Sequence, residues 1–263
     1  MSTSNVNLGL LNDAHDDGNL TRSSLDALTK IPDIGAIIQE GLGIQVDNVK
    51  SSEVILLNIL TDDSGSIRFA SNSQAVRDGH NLLIKALRES KQQDNIEVIN
   101  RYLNGSVLYP YTPLSFVPEM TTSNYDPNGG TPLYDETAKL LATIIAKTQE
   151  FKNNGIQVRT ITLILTDGED CHSRTNSASD VKKIVKDMLR SEEHIIAGMG
   201  FDNGDCDFQT VFTEMGIPSQ WILTANSTPS EIRKAFQMVS QSAVRASQSA
   251  AMFSQTSLGG FGG

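Results

Sequence analysis

The chain has 263 residues, of which 38% are hydrophobic and 20% are charged. This length and composition suit one large domain with a sizeable core, and they exclude an intrinsically disordered chain. The formal net charge is −10, from 21 Lys and Arg against 31 Asp and Glu. Because nucleic-acid binding requires a basic patch, this acidity argues against it. It is compatible with the binding of cations and of basic partner surfaces.

The cysteine content and the chain termini indicate the compartment. Cys171 and Cys206 are the only cysteines, which is too few for a disulfide framework. Residues 1–7 have neither the basic start nor the apolar run of a secretory signal. No stretch approaches the roughly 18 consecutive apolar residues of a membrane span. We therefore expect a soluble, cytoplasmic protein without a membrane segment.

Composition divides the chain into four regions. Residues 1–21 are rich in Asn, Asp, Ser and Gly, which predicts a mobile tail, and residues 22–52 carry a mixed pattern that predicts a short helical extension docked on the main body. Residues 53–246 contain the strand and helix patterns of a single domain. Residues 247–263 are rich in Ser, Gln and Gly, which predicts a flexible tail that ends in two glycines.

Hydrophobic patterning and turn signals place strands and helices alternately along the domain. In chain order, we predict a buried strand at 54–60, a helix at 71–90, a hairpin at 96–111 with its turn at Asn104-Gly105, a helix at 132–151, a buried strand at 160–165, a helix at 179–189, a buried strand beginning at 194–197, a short helix at 207–215, an apolar run at 221–223 and a last helix from about 228 to 246.

This alternation predicts an α/β fold with a doubly wound, Rossmann-like and mostly parallel sheet of about six strands. The hairpin adds one antiparallel edge strand, as many such sheets have. In open α/β sheets, ligands bind in the crevice beyond the carboxyl ends of the strands. Functional residues are therefore expected directly after the buried strands.

Three polar segments occupy such positions. Residues 62–66 (Asp-Asp-Ser-Gly-Ser) follow the first buried strand, residues 166–170 (Thr-Asp-Gly-Glu-Asp) follow the second, and residues 129–133 (Gly-Gly-Thr-Pro-Leu) precede the helix between them. Carboxylates and hydroxyls together form an all-oxygen site that suits a hard divalent ion, Mg²⁺ or Mn²⁺. If hydroxyls bind the ion directly, its charge is only partly neutralised. The ion then stays electrophilic toward an outside carboxylate, as a docking site requires.

In this order and at these element boundaries, the three segments resemble a von Willebrand factor A (vWA) domain with an intact metal-ion-dependent adhesion site (MIDAS). The resemblance covers about residues 53–246, and the Ile-Leu-Thr-Asp-Gly-Glu segment is typical of intracellular bacterial members, such as those of tellurite- and stress-resistance operons. It implies that the metal is bound directly by Ser64, Ser66 and Thr131, and mainly through water by Asp62 and Asp167.

The resemblance also implies a function. A vWA domain of this kind binds a partner protein through Mg²⁺ (or Mn²⁺), with an Asp or Glu of the partner completing the coordination shell. Intracellular relatives are associated with AAA+ ATPases or with kinase–phosphatase pairs. We therefore expect a non-enzymatic adaptor or scaffold in a multi-protein system.

Two other functions stay open. A metal-dependent hydrolase would need several carboxylates directly on the metal and a base, and Ser and Thr are poor ligands for that purpose. A carrier function is suggested by the terminal Gly262-Gly263, which resembles the end of ubiquitin-like modifiers and offers Gly263 to a processing or conjugating enzyme. In a third interpretation of the tail, Leu258 and Phe261 dock into a partner as a short peptide.

The residues around the predicted metal site also allow alternatives. Cys171, His172 and Cys206 could form part of a zinc site, although a fourth ligand is missing from the pattern. We expect Asp63, Glu169 and Asp170 to be solvated rather than to assist the capture of a cation.

Overall fold

The computed structural model describes residues 3–49, 51–202, 204, 206–248 and 258–261. The helices are α1 Thr3–Asp16, α2 Arg22–Thr29, α3 Ile34–Leu42, α4 Gly65–Phe69, α5 Ser73–Arg88, α6 Leu133–Asn153, α7 Ala178–Arg190, α8 Phe208–Glu214 and α9 Pro229–Gln248. The strands are β1 Glu53–Thr61, β2 Ile96–Tyr102, β3 Val107–Pro113, β4 Gln157–Thr166, β5 His194–Asp202 and β6 Ile222–Asn226. Short 3-10 helices lie at Val46–Asn48, Gln93–Asn95, Leu114–Phe116 and Ser219–Trp221.

The strands form one six-stranded sheet in the order β3-β2-β1-β4-β5-β6. All neighbouring strands are parallel except β3, which pairs antiparallel with β2 at the edge. The central strands β1 and β4 are buried along almost their whole length, as expected for apolar strands covered on both faces. The α/β fold class and the single antiparallel edge strand predicted from the sequence are confirmed.

Helices cover both faces of the sheet. On one face α6 packs on β1 and β4, and α7 packs on β5. On the other face α5 packs against α9, which in turn packs on β6. This close contact depends on Gly79 of α5, where any Cβ atom would overlap the ring of Phe236 in α9.

The N-terminal region differs from the prediction. Residues 3–16, predicted to be part of a mobile tail, form α1, which packs against α3 and α6. The buried residues Asn7, Leu11 and Ala14 recur every three or four positions and so lie on one side of the helix. Because this stripe is narrow and the segment is rich in Asn and Asp, composition concealed the amphipathic pattern. The short helices predicted within residues 22–52 are present as α2 and α3.

The C-terminal region also differs from the prediction where it is described. Helix α9 continues to Gln248, and residues 258–261 pack against the body of the chain, with Leu258 buried. For these residues the structure thus has a helix and packing contacts where the sequence predicts a flexible tail. The terminal Gly262-Gly263 lies outside the described residues. Within the described residues, no helix combines the length and the apolar character that a bilayer crossing demands.

Candidate metal centre

The predicted site lies at the carboxyl end of the sheet, above its two central strands. Strands β1 and β4 are parallel neighbours, and they end at Thr61 and Thr166. The loops that follow them begin with Asp62 and Asp167, so the topology alone brings these two carboxylates together. Helix α6 begins at Leu133, so the residues just before it complete the same edge.

Asp62 is the anchor of the site. Its side chain is 1% exposed, and its Oδ1 accepts a hydrogen bond from the amide of Ser64 at 2.7 Å. Its Oδ2 accepts from the hydroxyl of Thr166 at 2.8 Å and from the amide of Asp167 at 3.1 Å. Asp62 therefore joins the loop after β1 to the loop after β4 and fixes the turn from which Ser64 and Ser66 project.

Three oxygen atoms converge above this anchor. The hydroxyls of Ser64 and Ser66 lie 2.9 Å apart, and they donate to Oδ1 of Asp167 at 3.3 Å and 2.7 Å. Ser66 is exposed, whereas Ser64 and Asp167 are buried. The resulting triangle of oxygens is open to solvent on the side of Ser66.

The loop before α6 closes another side of the site. Gly129 forms an isolated parallel bridge with Ser64, and the carbonyl of Gly129 accepts from the amide of Gly65 at 3.1 Å. Two residues later, the amide of Thr131 donates to Nδ1 of His172 at 2.9 Å, and the carbonyl of Thr131 accepts from the amide of Cys171 at 3.0 Å. Thr131 is thus held between the loops that follow β1 and β4.

Burial raises the pKa values of the carboxylates at this site. The pKa of Asp62 is raised because burial disfavours its charged form. Burial, followed by the negative charge of Asp62, raises the pKa of Asp167 to about 6. Burial also raises the pKa of Asp63 to about 6, and Asp62 adds to that shift. The nearby Arg68 pairs with Asp126 instead, at 2.5 Å. The site therefore has an excess of negative charge that a cation would relieve.

The oxygens fit a hard divalent ion. Around an octahedral Mg²⁺ with bonds of about 2.05 Å, adjacent ligand oxygens lie about 2.9 Å apart. The hydroxyl oxygens of Ser64 and Ser66 have this separation, 2.9 Å, and both donate to Oδ1 of Asp167, which lies beside them. In the part of the chain that the structure describes, no three His, Cys, Asp or Glu residues are grouped so as to hold a metal ion. An ion at this position would therefore need the serine hydroxyls as ligands.

The additional acidic residues have structural roles that the sequence did not reveal. Asp63, expected to be solvated, is 3% exposed, and its Oδ1 accepts from the amide of Asn104 at 2.9 Å, which ties the hairpin to the site. Asp170 accepts from the amide of Tyr134 at 3.1 Å and so holds the start of α6. The expectation of solvation is therefore wrong for Asp63, and Glu169 is exposed as expected.

The alternative zinc site is not formed by the described residues. Cys171 and Cys206 are free thiols, and neither joins a metal-binding group of His, Cys, Asp or Glu side chains there. His172 has another role, since its Nδ1 accepts from the amide of Thr131 and is therefore unprotonated. Gly130 permits this contact, because a Cβ atom there would lie 2.8 Å from Nδ1.

Two further residues hold the site and were not predicted. The hydroxyl of Tyr125 donates to the carbonyl of Asp62 at 2.6 Å, and the hydroxyl of Thr166 donates to the Asp62 carboxylate. Thr166 could have been recognised from its position beside Asp167. Tyr125 lies in an irregular loop with no periodicity, and nothing in the local sequence indicates its contact.

Comparison with known proteins gives structural matches only. A scan against protein-family models finds no match, and a search of curated proteins finds none. The pilus adhesin SpaC from Lactobacillus rhamnosus GG is similar in structure, with a TM-score of 0.50 and 11% identity over 77% of this chain and 31% of the adhesin.

Two other structures are similar at lower scores. Proximal thread matrix protein 1 from the mussel byssus, in a form with a zinc-occupied MIDAS motif, has a TM-score of 0.46 and 13% identity over 74% of this chain and 47% of that protein. Manganese-loaded TRAP protein of Plasmodium vivax has a TM-score of 0.44 and 19% identity over 70% of this chain and 74% of that one. The chain thus spans about half of the mussel protein and about a third of the adhesin. The match to the adhesin agrees with the α/β fold of the sheet.

Proposed function

We propose that this chain is a protein-binding module that depends on a divalent metal ion. In this proposal Ser64, Ser66 and Thr131 bind the ion directly, and Asp62 and Asp167 act mainly through water. The partner protein supplies an Asp or Glu carboxylate as a further ligand. When bound, the ion supplies a Lewis-acidic position that attracts this carboxylate to an otherwise acidic surface.

The observation that carries the proposal is the pair of hydroxyls of Ser64 and Ser66, which lie 2.9 Å apart beside the buried carboxylate of Asp167. Their separation matches that of adjacent ligand oxygens around a small divalent ion, and the pair is open to solvent at Ser66. Without a cation, the buried negative charge of Asp62, Asp63 and Asp167 would repel a partner carboxylate. The same charge therefore makes docking conditional on the metal.

The ligand set also favours binding over catalysis. A metal-dependent hydrolase activates water on an ion that is held by several carboxylates or imidazoles and has a base close by. Here two of the three proposed direct ligands are serine hydroxyls, and His172 uses Nδ1 to accept from the Thr131 amide. We therefore propose that the module is not an enzyme.

The identity of the ion, the location of the protein and its role are proposed from the sequence resemblance. We propose Mg²⁺ as the resident ion, a cytoplasmic location in a bacterium, and an adaptor role in a multi-protein system of the stress-response type. The fold likeness to a pilus adhesin is compatible with a binding role and leaves the compartment open.

The proposal is tested by capturing partners from a lysate of the native host in Mg²⁺ and again in EDTA. We expect capture by the wild type in Mg²⁺ only. Ser66→Ala should abolish capture without unfolding the chain, because Ser66 is exposed and its hydroxyl bonds only to other site residues. Ser179→Ala is the matched control, since it removes an exposed hydroxyl near the start of α7. Capture that survives both EDTA and Ser66→Ala would overturn the proposal.

A further inference from the structure

The second end of the sheet carries an intramolecular contact that the metal-binding proposal does not use. Residues 258–261, the sequence Leu-Gly-Gly-Phe, lie beside Gln220 and Trp221, just before β6 begins at Ile222. Because β6 runs parallel to β5, this position is at the amino end of the parallel strands. The candidate metal centre is at their carboxyl end, so the two places are on opposite edges of the sheet.

Both polar and aromatic contacts hold the segment. The amide of Phe261 donates to the carbonyl of Gln220 at 3.1 Å, and Arg245 of α9 donates through Nη2 to the carbonyl of Gly260 at 2.7 Å. The ring of Phe261 packs edge-on against the indole of Trp221, with centroids 5.6 Å apart. Leu258 is 8% exposed. Main-chain bonds give this contact its register, and the two apolar side chains give it buried area.

The two glycines of the segment are required by its geometry. Gly259 and Gly260 have φ values of +73° and +93°, which residues with a Cβ atom seldom adopt. A Cβ atom on Gly260 would also overlap the carbonyl group of Gln220. Each of the four residues therefore has a local reason for its identity: two apolar contacts at the ends and two glycines that allow close approach of the backbones.

Phe261 also closes an apolar cavity of about 20 Å³ beneath α9. Other walls of this cavity come from Leu57, Leu163, Ile195 and Val239. Because these residues belong to the core between the sheet and α9, displacement of Phe261 would open part of the core to water. Docking of the segment therefore completes the packing of this end of the domain.

We infer that Gln220, Trp221 and Arg245 form a peptide-binding site, here called the tail site, whose occupant is the chain's own Leu258–Phe261 segment. Binding within one chain is favoured because Arg245 lies in the last turn of α9, close to the point where the helix ends at Gln248. The segment thus returns to the helix from which it departs.

The experiment uses the fluorescence of Trp221, which is the only tryptophan of the chain and is buried. In the full-length protein, Gly260→Ala should displace the segment and shift the Trp221 emission to longer wavelength, because the indole then contacts water. A synthetic peptide of residues 257–263, Ser-Leu-Gly-Gly-Phe-Gly-Gly, should bind the vacated site and reverse that shift. The same peptide with Phe261→Ala should not.

Controls distinguish release of the Leu258–Phe261 segment from a general change in the fold. Gly155→Ala also places a side chain at positive φ, +75°, but meets no neighbour within 4 Å, and it should leave the emission unchanged. Circular dichroism should show the same folded content in both variants. An unchanged emission in Gly260→Ala, or a failure of the wild-type peptide to reverse the shift, would overturn the inference. Emission that changes on dilution together with dimer dissociation in sedimentation would assign the occupant to a second copy and refute binding within one chain.

Discussion

Two aspartates of the candidate metal centre are predicted to respond differently to the same substitution. Asp62→Ala should destabilise the fold and abolish metal binding, whereas Asp167→Ala should abolish metal binding alone. The difference follows from their hydrogen bonds. Asp62 accepts from two backbone amides that have fixed positions, whereas Oδ1 of Asp167 accepts from the hydroxyls of Ser64 and Ser66, which can rotate.

The loss in free energy of unfolding for Asp62→Ala follows from these hydrogen bonds. Removal of the Asp62 carboxylate leaves the amides of Ser64 and Asp167 without this acceptor, and each unsatisfied buried donor costs about 1–3 kcal/mol. The hydroxyl of Thr166 keeps an acceptor in the carbonyl of Gly168 at 2.9 Å. Part of the cost is offset, because the raised pKa of Asp62 shows that burial of its charge is unfavourable. We expect a net loss of about 3 kcal/mol, which corresponds to roughly 6–12 °C in Tm for a chain of this size.

The assay is thermal unfolding followed by circular dichroism, in EDTA and in excess Mg²⁺. In EDTA, Asp167→Ala should unfold within about 0.5 kcal/mol of the wild type, since Ser66 can bond to water instead. Added Mg²⁺ should raise the Tm of the wild type and of neither variant. Equal destabilisation of the two variants in EDTA would refute the assignment of Asp62 as the structural anchor.

Three further predictions concern proton competition, packing and acid stability. Mn²⁺ affinity should fall as the pH drops through about 6, because the raised pKa of Asp167 makes a proton compete with the ion; calorimetric titration at several pH values measures this. Gly79→Ala should lower the free energy of unfolding, measured in denaturant, by about 1–3 kcal/mol, since its Cβ atom would overlap the Phe236 ring. Burial lowers the pKa of His194 from 6.5 to about 3, so the unfolded chain binds a proton in that window and the folded chain does not. This stability is lost as the pH falls from about 6.5 toward 3, and urea unfolding of His194→Gln should show a smaller loss over that range.

The regular elements of the domain were predictable because their sequence signals are strong. The apolar runs that became β1 and β4 suit strands covered on both faces, and the Asn104-Gly105 turn formed as predicted, with Gly105 at a φ of +95°. Helix α1 was missed because its buried residues Asn7, Leu11 and Ala14 form a narrow row in a segment rich in Asn and Asp. Packing against α3 and α6 stabilises the helix, and no local sequence pattern indicates that packing.

The candidate site was predictable only in part. Asp62 and Asp167 follow adjacent parallel strands, so strand order alone predicts that they meet. The structure also brings Ser64 and Ser66 together with Asp167. The contacts of Tyr125 and of His172 join loops that are distant in sequence, and side-chain directions in irregular loops leave no periodic trace. Asp63 was misread for the same reason, because its partner Asn104 belongs to the hairpin.

The central claim is that the serine hydroxyls take part in holding a divalent ion. Isothermal titration of the full-length chain with Mn²⁺ tests it most directly, with the double variant Ser64→Ala, Ser66→Ala compared against Ser179→Ala. We expect one bound ion per chain for the wild type and for the control, and binding at least about tenfold weaker for the double variant. Equal affinity in all three proteins would show that the hydroxyls of Ser64 and Ser66 do not hold the ion.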